Sequence, residues 1–278
     1  MTTLSVATLD RASDMLVPPA PATLEETGLG ADQIVQLLMK ALYTGETTGL
    51  VLAERLIAVR GAGGTGTAGY RYALTDAGRD RTRHFLDANQ YTGPAPVPLA
   101  TYVATMKALR AARPFVDREQ IGRGFSHLVV ADSLLEQLGP AINAGKAVFL
   151  YGAPGNGKTV IAEGMGRTLG GDMFVPHAID VDGQTMTMFD PINHDSVEGE
   201  EDLTSIITSA PRDRRWVKIR RPVVTVGGEL TLDMLDLTFN PTAKFCEAPI
   251  QLKANGGVFL VDDFGRQRIR PEELLNRW

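Results

Sequence analysis

Cysteine is almost absent. Cys246 is the only one in 278 residues, which excludes an internal disulfide and any thiolate metal cluster and leaves a small core side chain. No apolar run approaches the ~18 residues that a membrane-spanning helix needs. The N-terminal stretch MTTLSVATLDRASDMLVPPAPATLEETG lacks the basic start and long apolar segment of a secretory leader, so a soluble, cytoplasmic protein is expected. An excess of positive charge is missing too: 28 Lys and Arg stand against 33 Asp and Glu, a formal charge of -5. Any contact with nucleic acid must therefore come from a local patch. What is present, 44% hydrophobic and 22% charged residues, suits a globular chain long enough for two packed domains.

Residues 1–28 are rich in Pro, Ala, Thr and Glu without a sustained period and read as a flexible leader. From Asp32, DQIVQLLMKALY sets Ile34, Leu37, Leu38 and Leu42 on one helical face, and LVLAERLI gives a second short amphipathic pattern. IAVRGAGGTGTAGYRYALT reads as two short strands around a glycine-rich turn. Thr75 or Asp76 then offers a cap to the helix DAGRDRTRHFLDANQ. This outline over residues 29–90, with YRYALTDAGR after the hairpin, resembles the bacterial winged-helix domain and implies a small α+β unit. Only AVR separates LAERLI from the glycine run, too little for a recognition helix, so contact with protein rather than DNA is expected. YTGPAPVPLATY, Tyr91 to Tyr102, predicts a stiff extended connector. A boundary is placed there, with residues 91–112 as a Pro-rich linker and helix.

Beyond it, AVFLYGAPGNGKTVIAEG stands out. Gly152, Gly157, Lys158 and Thr159 fit G-x-x-x-x-G-K-[ST], after an apolar run of buried-strand type and before a helical pattern carrying Val160, Ile161, Met165 and Leu169. Glycines let backbone N–H groups approach an anion, and a helix start adds partial positive charge. The phosphate cradle is therefore assigned to Gly152, Ala153, Pro154, Gly155, Asn156, Gly157, Lys158, Thr159 and Val160, with ATP as the nucleotide. Lys158 reaches the β and γ phosphates, and the Thr159 hydroxyl ligates Mg²⁺. A metal carboxylate is needed at a neighbouring strand end, and GGVFLVDDFGR supplies one: Val258 to Val261 are continuously apolar, as in a parallel strand, and end in Asp262 and Asp263. Asp262 is assigned to the metal. Asp263 stands where a general base polarises the attacking water.

FLYGAPGNGKT, LKANGGVFLVDD and SLLEQLGPAINAGK resemble the AAA+ ATPases, and ANGG before the metal strand is similar to their MoxR and magnesium-chelatase branch. The resemblance covers residues 113–278. It implies an α/β P-loop fold, a parallel sheet with flanking helices. It also implies ATP held between subunits of a self-associated ring, and hydrolysis coupled to remodelling or assembly of protein partners. Asp263 departs from the Glu usual in the family, one methylene longer. Only 15 residues follow Asp263, too few for the sensor strand, arginine finger and helical lid that the family carries. The chain is therefore expected to be a C-terminally incomplete piece without turnover of its own, its cradle and metal strands lacking the strand between them. Two further readings stay open: a nucleotide-gated DNA-binding regulator, and a fragment that binds nucleotide without turnover. A GTPase is disfavoured by the absence of N-K-x-D.

The 103 positions from Thr159 to Asp262 leave room for a β-rich insertion over about residues 172–250. MFVPHAIDVDGQTMTMFD predicts a hairpin around Asp182-Gly183, with Phe174, Val175 and Ile179 on one limb and Met186, Met188 and Phe189 on the other. DVDG lacks the third acid and terminal Glu of a calcium loop. His177, Asp190, His194 and Asp195 show no ligand spacing and read as polar loop residues, as does the acidic run Glu198–Asp202. RDRRWVKIRRPVVTV alternates like a strand, Arg212, Arg214, Arg215, Lys218, Arg220 and Arg221 surrounding Trp216. It reads as an exposed polar face with nucleic-acid contact as the alternative. Pro271 begins a terminal helix whose apolar side is Leu274, Leu275 and Trp278.

Overall fold

The computed structural model describes residues 8–10, 15–56, 69–113, 115–153, 155–197 and 212–277. A small antiparallel pair opens the chain, β1 (Thr8–Asp10) with β2 (Met15–Val17). Helix α1 (Ala31–Tyr43) turns Ile34, Leu37, Lys40 and Ala41 inward, the stripe that a period of about 3.6 residues dictates. Its apolar side chains meet Leu52 and Leu56 of α2 (Gly49–Leu56), with Leu38 and Leu42 packed alongside. β3 (Thr47–Thr48) pairs antiparallel with β4 (Arg71–Tyr72). The latter, foreseen as the second limb of a hairpin, thus pairs ahead of α2; the expected first limb and the glycine-rich turn fall in residues 57–68, outside the described ones. Thr75, not Asp76, caps α3 (Asp76–Ala88), its hydroxyl accepting from the Gly78 amide.

The proline segment is extended as foreseen, but it is built into the interior. Ala95 and Val97 are 0% exposed, the Ala95 amide donates to Leu56 O, and β5 (Val97–Pro98) pairs parallel with β7 (Ala178–Val181). β5 is an edge strand, where the missing N–H groups of proline are tolerated. Helix α4 (Leu99–Ala111) follows directly. α5 (Arg118–Gly124) starts from an Asp117–Gln120 capping box, α6 (Asp132–Ala144) ends at left-handed Gly145, and α7 (Lys158–Leu169) completes a helical cluster around Ile121, Phe125, Leu138 and Ile142.

The remaining strands are β6 (Asp172–Pro176), β7 (Ala178–Val181), β8 (Gln184–Thr187), β9 (Trp216–Arg220), β10 (Val223–Val226), β11 (Thr238–Asn240), β12 (Phe245–Glu247) and β13 (Val258–Val261); α8 (Ile250–Lys253) precedes β13 and α9 (Pro271–Leu275) follows it. The fold is α/β, with a mixed five-stranded sheet of order β11-β12-β8-β7-β5. Parallel pairing next to the glycine loop is confined, among the described residues, to β10 with β13. No helix among them is long and apolar enough to cross a membrane.

The β7–β8 hairpin turns at Asp182 and Gly183, both at positive φ (51° and 83°), as a two-residue type I′ connection requires. Phe174 and Val175, expected on its first limb, lie instead on β6, which pairs with β9. The chain jogs at His177, whose amide turns away to Arg215 O, and the two limbs join different sheets. The basic ribbon is corrected as well. β9 lies inside the fold, with Trp216 1% exposed and stacked on Tyr102. Arg215 is buried against Asp213 at 2.8 Å and donates to Thr27 O, Lys218 meets Asp172 at 3.2 Å, and Arg212 lies over the Phe174 ring. Of the six cations only Arg214 and Arg220 stand exposed. The strand alternates because one face is core, so most of the charge is internally matched and not displayed.

Helices α5 and α7 cross closely because small residues face each other. A Cβ on Gly124 would lie 2.2 Å from Thr168 Oγ1 and 2.9 Å from its Cα, whereas a Cβ on Gly122 meets nothing within 4 Å. Gly124→Ala is therefore expected to lower stability by ~1–3 kcal/mol through overpacking. Gly122→Ala, in the same helix, is expected to raise it by ~0.5–1 kcal/mol. Urea unfolding of the two variants beside the parent chain checks both signs.

Candidate functional site

The glycine loop joins Ala147–Tyr151 to α7. The apolar run carries no regular secondary structure and pairs with no strand among the described residues, and Phe149 and Tyr151 are 69% and 87% exposed. The expected buried strand is thus not formed: a strand needs a partner's N–H and C=O groups, and β10–β13 does not offer its edge here. Phe149 instead meets Phe264 edge to face, ring centroids 5.8 Å apart, which brings the start of the loop to the segment after Asp263.

Gly155 and Gly157 sit at φ 84° and 70°, in the left-handed region that disfavours other residues, and a Cβ at either would enter open space. Gly157 caps α7, so the loop ends on a helix start. Among the described residues the amides of Gly155, Asn156, Gly157, Lys158 and Thr159 donate to no protein acceptor. Five donors are thereby collected at the positive end of a three-turn helix. The Lys158 ammonium folds back on Gly152 O and Ala153 O at 3.2 and 3.0 Å; no described carboxylate lies within ion-pair distance of it. Val160 lies in the first turn of α7, exposed, and Pro154 lies outside the described residues.

β13 brings the aspartates to this loop. Its register with β10 runs from Val223↔Val258 to Val226↔Val261, and the Asp262 amide continues it by donating to Val226 O at 2.8 Å. The Thr159 hydroxyl then donates to Asp262 Oδ2 at 2.9 Å, across 103 positions of sequence. The other carboxylate oxygen accepts from the Asp263 amide at 2.9 Å, so the Asp262 side chain is held from both sides. Gln267 Nε2 donates to the carbonyls of Asp262 and Asp263 and fixes the turn. Asp263 is at φ 49°, a position costly for a side chain bearing Cβ. Its carboxylate is largely exposed and meets Arg266 at 3.5 Å. The structure brings Thr159 and Asp262 together; it turns Asp263 toward Arg266.

Arg221 has a role that the sequence pattern concealed. Counted there among the ribbon cations, it donates to Gly170 O at 2.9 Å and to Gly256 O. Gly170 ends the helix that begins with Lys158, and Gly256 precedes the strand that ends with Asp262. One guanidinium therefore ties together the far ends of the two elements carrying the site. Gly257 completes the junction, since a Cβ there would lie 2.0 Å from Pro222 O. No local signal distinguishes such an arginine from its neighbours.

His194 and Asp190 are engaged by protein, and the acidic run Glu198–Asp202 lies outside the described residues. His194 is 2% exposed; its Nδ1 accepts from the Asp190 amide at 3.1 Å and its Nε2 lies 2.8 Å from Lys253 O, which sets the neutral Nε2–H tautomer. Burial is the main cause holding its pKa below the ordinary value, with the Lys253 charge adding to it. Burial alone would raise the Asp190 carboxyl, but bonds from Lys253, the Ile192 amide and Asn193 hold it below the usual carboxylate range. Among the described residues no group of three His, Cys, Asp or Glu could hold a metal ion.

A histidine kept neutral when folded takes up a proton more readily when unfolded. Its stabilising contribution is full above pH ~6.5, the free imidazole pKa, and is lost as pH falls toward the lowered folded value. Stability should then fall between pH 7 and 5 with a slope of up to about 1.4 kcal/mol per pH unit from this group. Urea midpoints measured across that range should show this component in the parent chain and its loss in His194→Gln. Compared with known proteins, the chain matches no family model and no curated protein.

Proposed function

We propose that the chain binds ATP with Mg²⁺ at the loop Gly152–Thr159, as a P-loop NTPase of the AAA+ type. The observation that carries this reading is the 2.9 Å bond from the Thr159 hydroxyl to Asp262: a hydroxyl and a carboxylate beside a glycine loop form the donor set of a hydrated magnesium site. The cradle fits the anion as well. Among the described residues its amides find no protein acceptor and its lysine no carboxylate partner, and the open space over Gly155 and Gly157 leaves room for phosphate oxygens. A bound magnesium ion would supply neutralisation of phosphate charge; Thr159 and Asp262 would hold it.

In this reading Lys158 leaves its two loop carbonyls for the terminal phosphates. The backbone amides bind the bridging region, and Asp263 serves as base only when released from Arg266. The pairing of Asp263 with Arg266 favours a second reading of the same site, nucleotide binding without turnover by this chain. Coupling to the remodelling of protein partners within a ring of copies follows from the AAA+ resemblance and belongs to the proposal on that ground alone.

Titration with a fluorescent ATP analogue, with and without Mg²⁺, tests the site. The parent chain should bind more tightly with the metal, Lys158→Ala should weaken binding by about tenfold or more, and Thr159→Val should abolish the metal dependence. Equal affinity in all three chains, with circular dichroism showing each folded, overturns the assignment. Phosphate release measured on the same samples separates the ATPase from the binding-only reading.

A further inference from the structure

Outside the glycine loop, α1 carries a lysine on its inward stripe. Lys40 is 4% exposed, and its ammonium, with three N–H donors, has among the described residues one acceptor, Tyr91 O at 3.4 Å. No described carboxylate lies within ion-pair distance. An ammonium withdrawn from water without a counter-charge is strongly disfavoured, and burial pushes the Lys40 pKa down to about 8. The amine is therefore charged or neutral according to what stands beside it.

What stands beside it is a cavity of about 340 Å³, between α1, the end of α3, the β7–β8 turn and the β11–β12 pair. That volume is at the small end of the ~300–1,000 Å³ typical of ligand sites. Leu37 and Phe245 give it an apolar wall, while Gln36, whose side chain makes no hydrogen bond to the described residues, and Lys40 supply donors. Two other charged groups line it. Asp180 is held by Gln33 at 2.9 Å, and Lys244 is engaged with Asp87 O. A carboxylate on the wall opposes a dianion such as phosphate more than a monoanion.

We propose that this cavity binds a small molecule bearing a single carboxylate, which takes the open donors of Lys40 while its apolar body lies on Leu37 and Phe245. The site is independent of the nucleotide reading. Because its walls come from α1 and α3 on one side and the β7–β8 and β11–β12 pairs on the other, an occupant would staple the N-terminal helices to the sheet and raise stability in proportion to its binding.

Calorimetric titration of the full chain with phenylacetate and with its neutral counterpart phenylacetamide tests this. Phenylacetate should bind the parent chain about tenfold more tightly than the amide, and Lys40→Met, which keeps the stem and removes the amine, should lose that difference, with Lys158→Ala unaffected. A readout that needs no variant is acetylation of Lys40 by acetic anhydride, followed by mass spectrometry, which phenylacetate should slow by about tenfold. Equal affinity for acid and amide, full binding by Lys40→Met, unprotected Lys40, or a cavity holding water and neither compound would each overturn the proposal.

Discussion

A hydroxyl at the first turn of one helix and a carboxylate at the end of one strand meet at 2.9 Å, and much of the surrounding architecture keeps them there. Neither group could hold the other in place from an exposed surface, where a single hydrogen bond adds only ~0.5–1.5 kcal/mol. The contact persists because its two elements are fixed at both ends. Near the contact, Val226 and Val261 are paired in register and Gln267 locks the turn. Away from it, Arg221 bridges Gly170 and Gly256, and Gly166 lets Val223 of β10 approach α7 closely.

The same logic explains the few cations that this protein turns toward its interior. Arg215, Lys218, Arg221 and Lys253 each serve an internal acceptor. Such pairs add little net stability over apolar substitutes, but removal of one partner leaves the other stranded, which is strongly unfavourable. They therefore specify one arrangement of strands among several that the apolar pattern alone would tolerate.

The local signals were legible. The helix after the glycine loop, the parallel strand Val258–Val261 and the turn at Asp182-Gly183 each carry their reason within a few residues, and the structure forms all three, the strand half-buried where burial on both faces was expected. Pairing was not legible, because a period of two tells which face of a strand is buried and not which partner it finds. Hence β6 left the hairpin for β9, β4 joined β3, and the basic strand turned inward. Lys40 is an intermediate case: three positions after Leu37 and six after Ile34, it lies on the stripe that the pattern already marked as interior. The segment Ala147–Tyr151, expected as a buried strand, stays exposed without a pairing strand among the described residues.

The prolines between Tyr91 and Pro98 bear on how the two halves move. Their strand is sewn into the sheet edge, and Gln33, Asn89 and Gln90 add side-chain and main-chain ties to the β7–β8 hairpin and the β11–β12 turn. The N-terminal helices are thus not a tethered head that swings free of the body. Through these ties a displacement of the N-terminal helices would be shared with the five-stranded sheet and with α4, directly beyond its edge.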